Sequence, residues 1–331
     1  MRASAEVDLA RNVHDGPGEP ELEAPVPLAL AHLARRTILA ADKGIAGRIW
    51  GVVASTHNAT LLPTAEAATA AATRLGLPLF DGDSRAMCPL PCSTRGALDA
   101  HGWHSAGCAS VNTTRERRAV AAALNCFAGP AGVTGYTLLT QCRCGDDGLP
   151  APASAESGVG VDGDLVVIAP GATAAHTTYM DFGSRSLPPS APMDWVHAAE
   201  NGCQPALAAY AAKWAAGQRR IVPRGARCSP IAYTPLGHLD ARSARALRDI
   251  AAGVDALDDV VPFGSALSRK DRIVPTIMAA IIGATAACVN RAREEMHLPS
   301  TPMGLSSSEI ATLVHKVTLT RSEFLAAAAA A

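Results

Sequence analysis

Apolar positions along the chain switch between two periods. Val161–Pro188 (VDGDLVVIAPGATAAHTTYMDFGSRSLP) holds two short apolar runs, Leu165–Ile168 and Thr177–Phe182, separated by Gly, Ala and Pro. Such runs predict two buried strands. Tyr136–Cys142 predicts a strand before them and Ser229–Leu236 one after them. Elsewhere apolar residues recur at three and four, the spacing of one helix face. That pattern covers Leu28–Trp50, Thr64–Leu75, Thr113–Phe127, Asp194–Ala216 (one or two helices), Ala241–Ala252 and Ser265–Glu295. Thr64 and Thr113 stand where N-caps are expected. Gly145–Gly160 reads as a loop. Strand, strand, strand, helix, strand, helix is the order of an α/β fold with a mixed sheet.

Composition narrows the class. With 331 residues, 48% hydrophobic and 18% charged, the chain suits a globular protein with a sizeable core. Met1–Pro27 is rich in Pro, Gly and acids and reads as a flexible lead-in. Its opening has no apolar core of a signal peptide, which leads us to expect an intracellular protein. Ile273–Val289 is uncharged but interrupted by Pro275, and reads as a buried helix rather than a membrane span. A net charge of −1 exerts no global pull on nucleic acid or membrane, so any nucleic-acid surface must be a local patch. Nine cysteines, an odd number, argue for thiols or metal ligands over a disulfide framework. No P-loop, GxGxxG, GxSxG or HExxH occurs.

Four groups of residues carry candidate chemistry. Asp164 opens the first strand of the pair and Asp181 lies near the end of the second; paired strands would bring both carboxylates to one sheet edge. A hard cation such as Mg²⁺ would relieve their repulsion, although aspartates that merely flank turns give the same pattern. Cys88 and Cys92 (CPLPC) and His104 and Cys108 (HSAGC) form two close pairs within 21 residues, which suits tetrahedral Zn²⁺. His101 competes with His104, and scattered buried thiols are the alternative. Four protein ligands would make the site structural. Cys142 and Cys144 form a CxC pair with no second pair nearby, and read as unliganded. Arg115, Arg117 and Arg118 at one helix start, and Arg219, Arg220 and Arg224 in RRIVPRGAR, are candidates for phosphate contacts or for solvated surface. Lys213 lies beside Trp214 near the edge of a helix face formed by Leu207, Tyr210 and Trp214. It either snorkels to water or reaches the sheet edge carrying the two aspartates.

In order, RLGLPLF, CPLPC, LDAHGWHSAGC, an arginine-rich helix, GDLVV, MDFGS, AAYAAKW and SPIAYTPLG resemble one family. They are similar to the region downstream of the reverse transcriptase in retrotransposon polyproteins that end in a zinc knuckle and a restriction-like endonuclease. The resemblance spans roughly Trp50 to Ala252. It implies a PD-(D/E)xK fold, a central mixed sheet flanked by helices. It also implies Mg²⁺ or Mn²⁺ at Asp164 and Asp181, with Lys213 positioning the attacking water, and Zn²⁺ at Cys88, Cys92, His104 and Cys108. The implied activity is hydrolysis of a DNA phosphodiester. Asp162-Gly163 stands where the family has a basic residue and proline, Phe182-Gly183 where a β-branched residue is common, and the reverse transcriptase is absent. An acid usual on the preceding helix or first strand has no clear counterpart; Gln141 sits near that place.

The expected organisation is a lead-in (1–27), a helical region (28–80), a zinc-knuckle-like segment (81–112), a restriction-endonuclease-like domain (113–255) and a helical tail (256–331). The expected function is a metal-dependent DNA endonuclease domain acting on DNA, with RNA as a further partner and no membrane. The rival expectations are a catalytically inactive nucleic-acid-binding module and a structural or assembly protein. The expected location is intracellular, with the nucleus as one candidate compartment, and not secreted.

Overall fold

The computed structural model describes residues 62, 64–75, 79–80, 87–90, 92, 104, 108–128, 135–152, 162–184, 204–217, 219, 221–235, 237–257 and 268–298. The expected lead-in, the helix over Leu28–Trp50, the first part of Asp194–Ala216, His101 and Arg220 lie outside these residues.

Five strands form one sheet in the order β2-β1-β3-β4-β5. β1 (Thr137–Cys144), β3 (Gly163–Ile168) and β4 (Thr177–Ser184) run as an antiparallel meander, and β5 (Arg227–Tyr233) lies parallel to β4. A parallel pair needs a crossover, and α3 (Gln204–Gly217) lies within it. The expected α/β fold with a mixed sheet is therefore present. β2 (Pro150–Pro152), within the segment expected to be a loop, pairs with the end of β1. Its Pro-Ala-Pro has no alternation to read, and proline belongs on a sheet edge because it cannot donate to the ladder.

Both faces of the central strands are covered, which is why β3 reads as a continuous apolar run. Leu165, Val167, Met180, Phe182, Ile231 and Tyr233 point to one face and pack against α2 (Ala109–Ala128), α4 (Ala241–Leu257) and α5 (Arg269–Glu295). Val166 and Tyr179 point the other way, among Cys142, Cys144, Ile221 and Ala226. Each fully buried large apolar side chain contributes about 1.5–3 kcal/mol. α4 is started by Asp240, whose carboxylate accepts the backbone N–H groups of Arg242 and Ser243 at 3.0 Å. This is N-capping by side chain.

α5 is the central helix of the molecule. Its cap is Ser268, whose hydroxyl accepts the Asp271 N–H at 3.2 Å. Among the described residues it is the one helix long and apolar enough to cross a membrane, but its most apolar stretch is 89% buried within the protein. α1 (Thr64–Leu75) packs closely on it: a Cβ at Gly283 would lie 2.8 Å from Leu62 Cδ2 and 2.9 Å from Glu66 Oε2. α5 also seals the core over α2 and α4. Within the region expected as a helical tail, α5 is thus part of the main core. A helix buried on every side shows no polar face that could have marked it as central.

Candidate metal centre and the acidic end of the sheet

The four knuckle residues are brought together. The ligand atoms of Cys88, Cys92, His104 and Cys108 all lie within 4.8 Å of one another. Cys88 Sγ is 3.9 Å from Cys108 Sγ, and Cys92 Sγ is 3.7 Å from His104 Nε2. A tetrahedron with metal–sulfur bonds of about 2.3 Å has edges of about 3.8 Å. The donor set therefore fits a tetrahedral N/S ion such as Zn²⁺.

Local structure explains the second pair. The Cys108 N–H donates to the His104 carbonyl at 2.8 Å, and the Asn112 N–H to the Cys108 carbonyl at 2.9 Å. One helical turn thus carries His104 and Cys108 into α2. The expected Thr113 cap is corrected accordingly. Thr113 lies inside the helix and its hydroxyl donates to the Ala109 carbonyl at 3.2 Å. The helix starts earlier because the ligand pair is part of its approach.

Burial, and then the neighbouring sulfurs of Cys288 and Cys108, push the Cys88 thiol up to about 12. Thiols this crowded repel one another as thiolates, and a cation among them removes the conflict. Cys142 and Cys144 lie apart from this group, on the other face of the sheet. Their thiols donate to the carbonyls of Thr140 and Gly145.

The second locus is the end of the β3–β4 pair. Leu165 faces Met180 across these strands as the last pair of the ladder, and Asp164 and Asp181 are the next residues beyond it. There the Asp164 side chain takes over from the ladder. Its carboxylate accepts the Phe182 N–H at 2.8 Å and the Gln141 side-chain amide at 3.0 Å. Gln141 lies mid-strand with φ 54°, a conformation costing a residue with a side chain about 1–2 kcal/mol. Backbone held in such a region tends to mark functional sites.

Glu116 of α2 adds a third acid. Burial, and then the charge of Asp164, push it up to about 7 against the opposing pull of Arg115. Tyr233, fully buried, is within electrostatic reach of both Glu116 and Asp164. Among the described residues its hydroxyl has no hydrogen-bond partner. Asp181 acts on Cys228 of β5, whose thiol is pushed up to about 12 by burial first and by that carboxylate second. Among the described residues only the knuckle brings three or more Cys, His, Asp or Glu ligand atoms to mutual ligand spacing. Mg²⁺ does not demand that. It keeps several waters and takes one or two carboxylates plus substrate phosphate oxygens.

Both departures from the family wording have structural causes. Asp162 is buried, and its carboxylate accepts the Cys144 N–H at 2.9 Å, extending the β1–β3 contact. A Cβ at Gly163 would lie 3.1 Å from the Tyr179 ring. Gly183 is free of a side chain because the Trp214 ring occupies that space. Gly183 shares the Asp181 face of β4, so α3 covers that face. Lys213, next to Trp214, is exposed, and among the described residues no ion pair holds it.

The arginines divide. Arg115 is corrected as a phosphate contact. It is fully buried and bonds to Thr285 Oγ1 at 3.0 Å and to the Asn112 side chain. Arg224 is also engaged, with the Cys144 carbonyl at 3.0 Å and Asp146 at 2.8 Å. Arg118 pairs with Glu66 at 3.5 Å. Arg117 and Arg219 are exposed.

Sequence reasoning missed Glu116 and Tyr233. Glu116 is the one acid in TTRERR, which was available as a signal. Tyr233 had none beyond its place on a strand. Comparisons with protein-family models, with curated proteins and with solved structures returned no match.

Proposed function

We propose that the chain is a restriction-like, metal-dependent DNA endonuclease domain carrying a structural zinc knuckle. The observation that supports it most is the proximity of Asp164 and Glu116 at the end of β3, with Asp164 held by Gln141 and the Phe182 N–H. Mg²⁺ or Mn²⁺ bound there would polarise a phosphate and lower the pKa of a bound water. The protein's own part is distinct. Asp164 is oriented by two donors before any ligand arrives, and its fixed carboxylate needs little reorganisation. Glu116, poised at about 7, is tuned to accept a proton from water near neutral pH. Lys213 on the exposed edge of α3 is available to orient water or steady charge once DNA docks. Arg117, Arg118 and Arg219 are the candidate phosphate contacts that remain exposed, Arg118 beside Glu66.

The test is nicking of supercoiled plasmid with Mg²⁺ or Mn²⁺. Asp164→Ala, Asp181→Ala and Glu116→Gln should each slow nicking on the order of 100-fold or more, the usual scale for a lost acid–base or metal-binding group. Nicking by Asp181→Ala as fast as by the parent would refute the assignment. Salt-sensitive DNA binding without nicking would make the chain a binding module instead.

A further inference from the structure

The knuckle has one sulfur more than a tetrahedral ion needs. Cys288, in the middle of α5, is buried and packs in one cluster with Cys108 and Val111, against Cys88, Leu90 and Cys92. Its sulfur stands within electrostatic reach of those of Cys88 and Cys108. The donors therefore form two edges. Cys88 and Cys108 make one, 3.9 Å long, with Cys288 against it; Cys92 and His104 make the other, 3.7 Å long.

A d¹⁰ ion has no directional preference of its own and takes four of the five donors. Thiolate is the softer and more strongly held ligand, and imidazole the neutral one. A fourth thiolate adds negative charge inside the protein, which needs compensation. Arg115 supplies it. Its fully buried guanidinium acts on both Cys288 and Cys108, and it is anchored on Thr285, one turn before Cys288 on α5. Arg291, one turn beyond, acts on Cys288 in the same sense.

We propose that Cys288 is a fifth ligand of the knuckle, able to take the coordination position of His104 and give a four-thiolate form. Coordination by Cys288 clips the core helix α5 to the knuckle and to the start of α2. The exchange involves no redox change: the Cys288 thiol gives its proton to solvent as its sulfur binds, and the His104 imidazole leaves neutral. This rests on the knuckle being a metal site, but not on nuclease activity.

The test uses the full chain stripped of metal and titrated with Co²⁺, read by its d–d bands and by sulfur-to-cobalt charge transfer. The parent and Cys288→Ser should bind one tetrahedral Co²⁺ with the spectrum of three thiolates and one imidazole. His104→Ala should keep tetrahedral Co²⁺, with charge transfer raised to the level of four thiolates. His104→Ala/Cys288→Ser should bind Co²⁺ at least tenfold more weakly than His104→Ala, the lower range of effects for perturbed metal sites. Alkylation of the Co²⁺-loaded His104→Ala protein, read by mass spectrometry, should spare Cys288. Replacing Cys288 by Ala instead of Ser gives a second variant if the serine protein does not fold. Equal Co²⁺ affinity and spectrum in His104→Ala and the double variant would overturn the Cys288 assignment while leaving the knuckle standing. A parent chain that binds no tetrahedral Co²⁺ would overturn both.

Discussion

The knuckle and the acidic end of the sheet group their candidate ligands in opposite ways. At the knuckle four soft donors already stand at the edge lengths of a tetrahedron, half-buried or buried against α2 and α5. At the sheet end, Asp164 and Glu116 lie within electrostatic reach of each other, and among the described residues no three acids close to ligand spacing. The first arrangement needs nothing but the ion. The second, in the reading proposed above, would be completed by water and phosphate oxygens, which a hard cation in a hydrolytic site takes. A closed site suits structure, and an open one suits chemistry.

Removing the knuckle metal should have the largest effect on stability. Cys108 leads into α2 and packs beside Cys288 of α5, so loss of the ion loosens the core as well as the loop. Chelation or Cys108→Ala should lower Tm by on the order of 10 °C, given about 2–4 °C per kcal/mol for a domain of this size. Asp164→Ala should do the reverse. It should abolish nicking while lowering Tm by only a few degrees, because it removes two partly exposed hydrogen bonds. Equal thermal effects from both changes would erase the contrast between the two regions.

Changing pH sharpens it further. In the metal-free chain Cys88 and Cys288 are raised from 9.0 to about 12 and about 11, chiefly by burial. The stability they lend as neutral thiols is complete below pH 9 and is lost as pH rises through 11 to 12. Metal uptake runs the other way, because binding requires the thiolates and strengthens as pH rises. Chemical denaturation of metal-free protein should therefore need less urea at pH 10.5 than at pH 8, and Cys288→Ala should flatten the difference. At the acidic end Glu116 is raised from 4.5 to about 7, so the metal-free fold loses stability as pH rises between those values. Glu116→Gln should stabilise metal-free protein at pH 8 by about 1 kcal/mol, a modest figure because the group is partly exposed.

The smallest effect concerns Gln141. At φ 54° glycine carries no steric penalty. Gln141→Gly should therefore be more stable than Gln141→Ala by about 1 kcal/mol in urea denaturation, reversing the usual order within a strand. The usual order, with alanine the more stable, would show that the strain is absent.

How much was legible follows from the same physics. Spacing alone marked Cys88, Cys92, His104 and Cys108, because metal ligands in a knuckle are local in sequence. The strand pair was also readable. Glu116 was marked only as the one acid of TTRERR; its place near Asp164 comes from the packing of α2, 48 positions away in sequence. Arg115 was misread as a surface charge, although it lies on the stripe Val111, Arg115, Ala119, Ala123, Phe127 that recurs every four residues. An arginine on that stripe has to be buried, whatever its charge suggests. Cys288 was invisible for a related reason. It is one small residue in a helix buried all round, and only the fold sets it 180 positions away against Cys108.

The measurement that bears most directly on the account is plasmid nicking with Mn²⁺ by parent and Asp181→Asn protein, with zinc content determined on the same samples. One zinc per chain in both, with metal-dependent nicking by the parent alone, is the expected result. Equal nicking by the two, or nicking unchanged when Mn²⁺ is withheld, would contradict it.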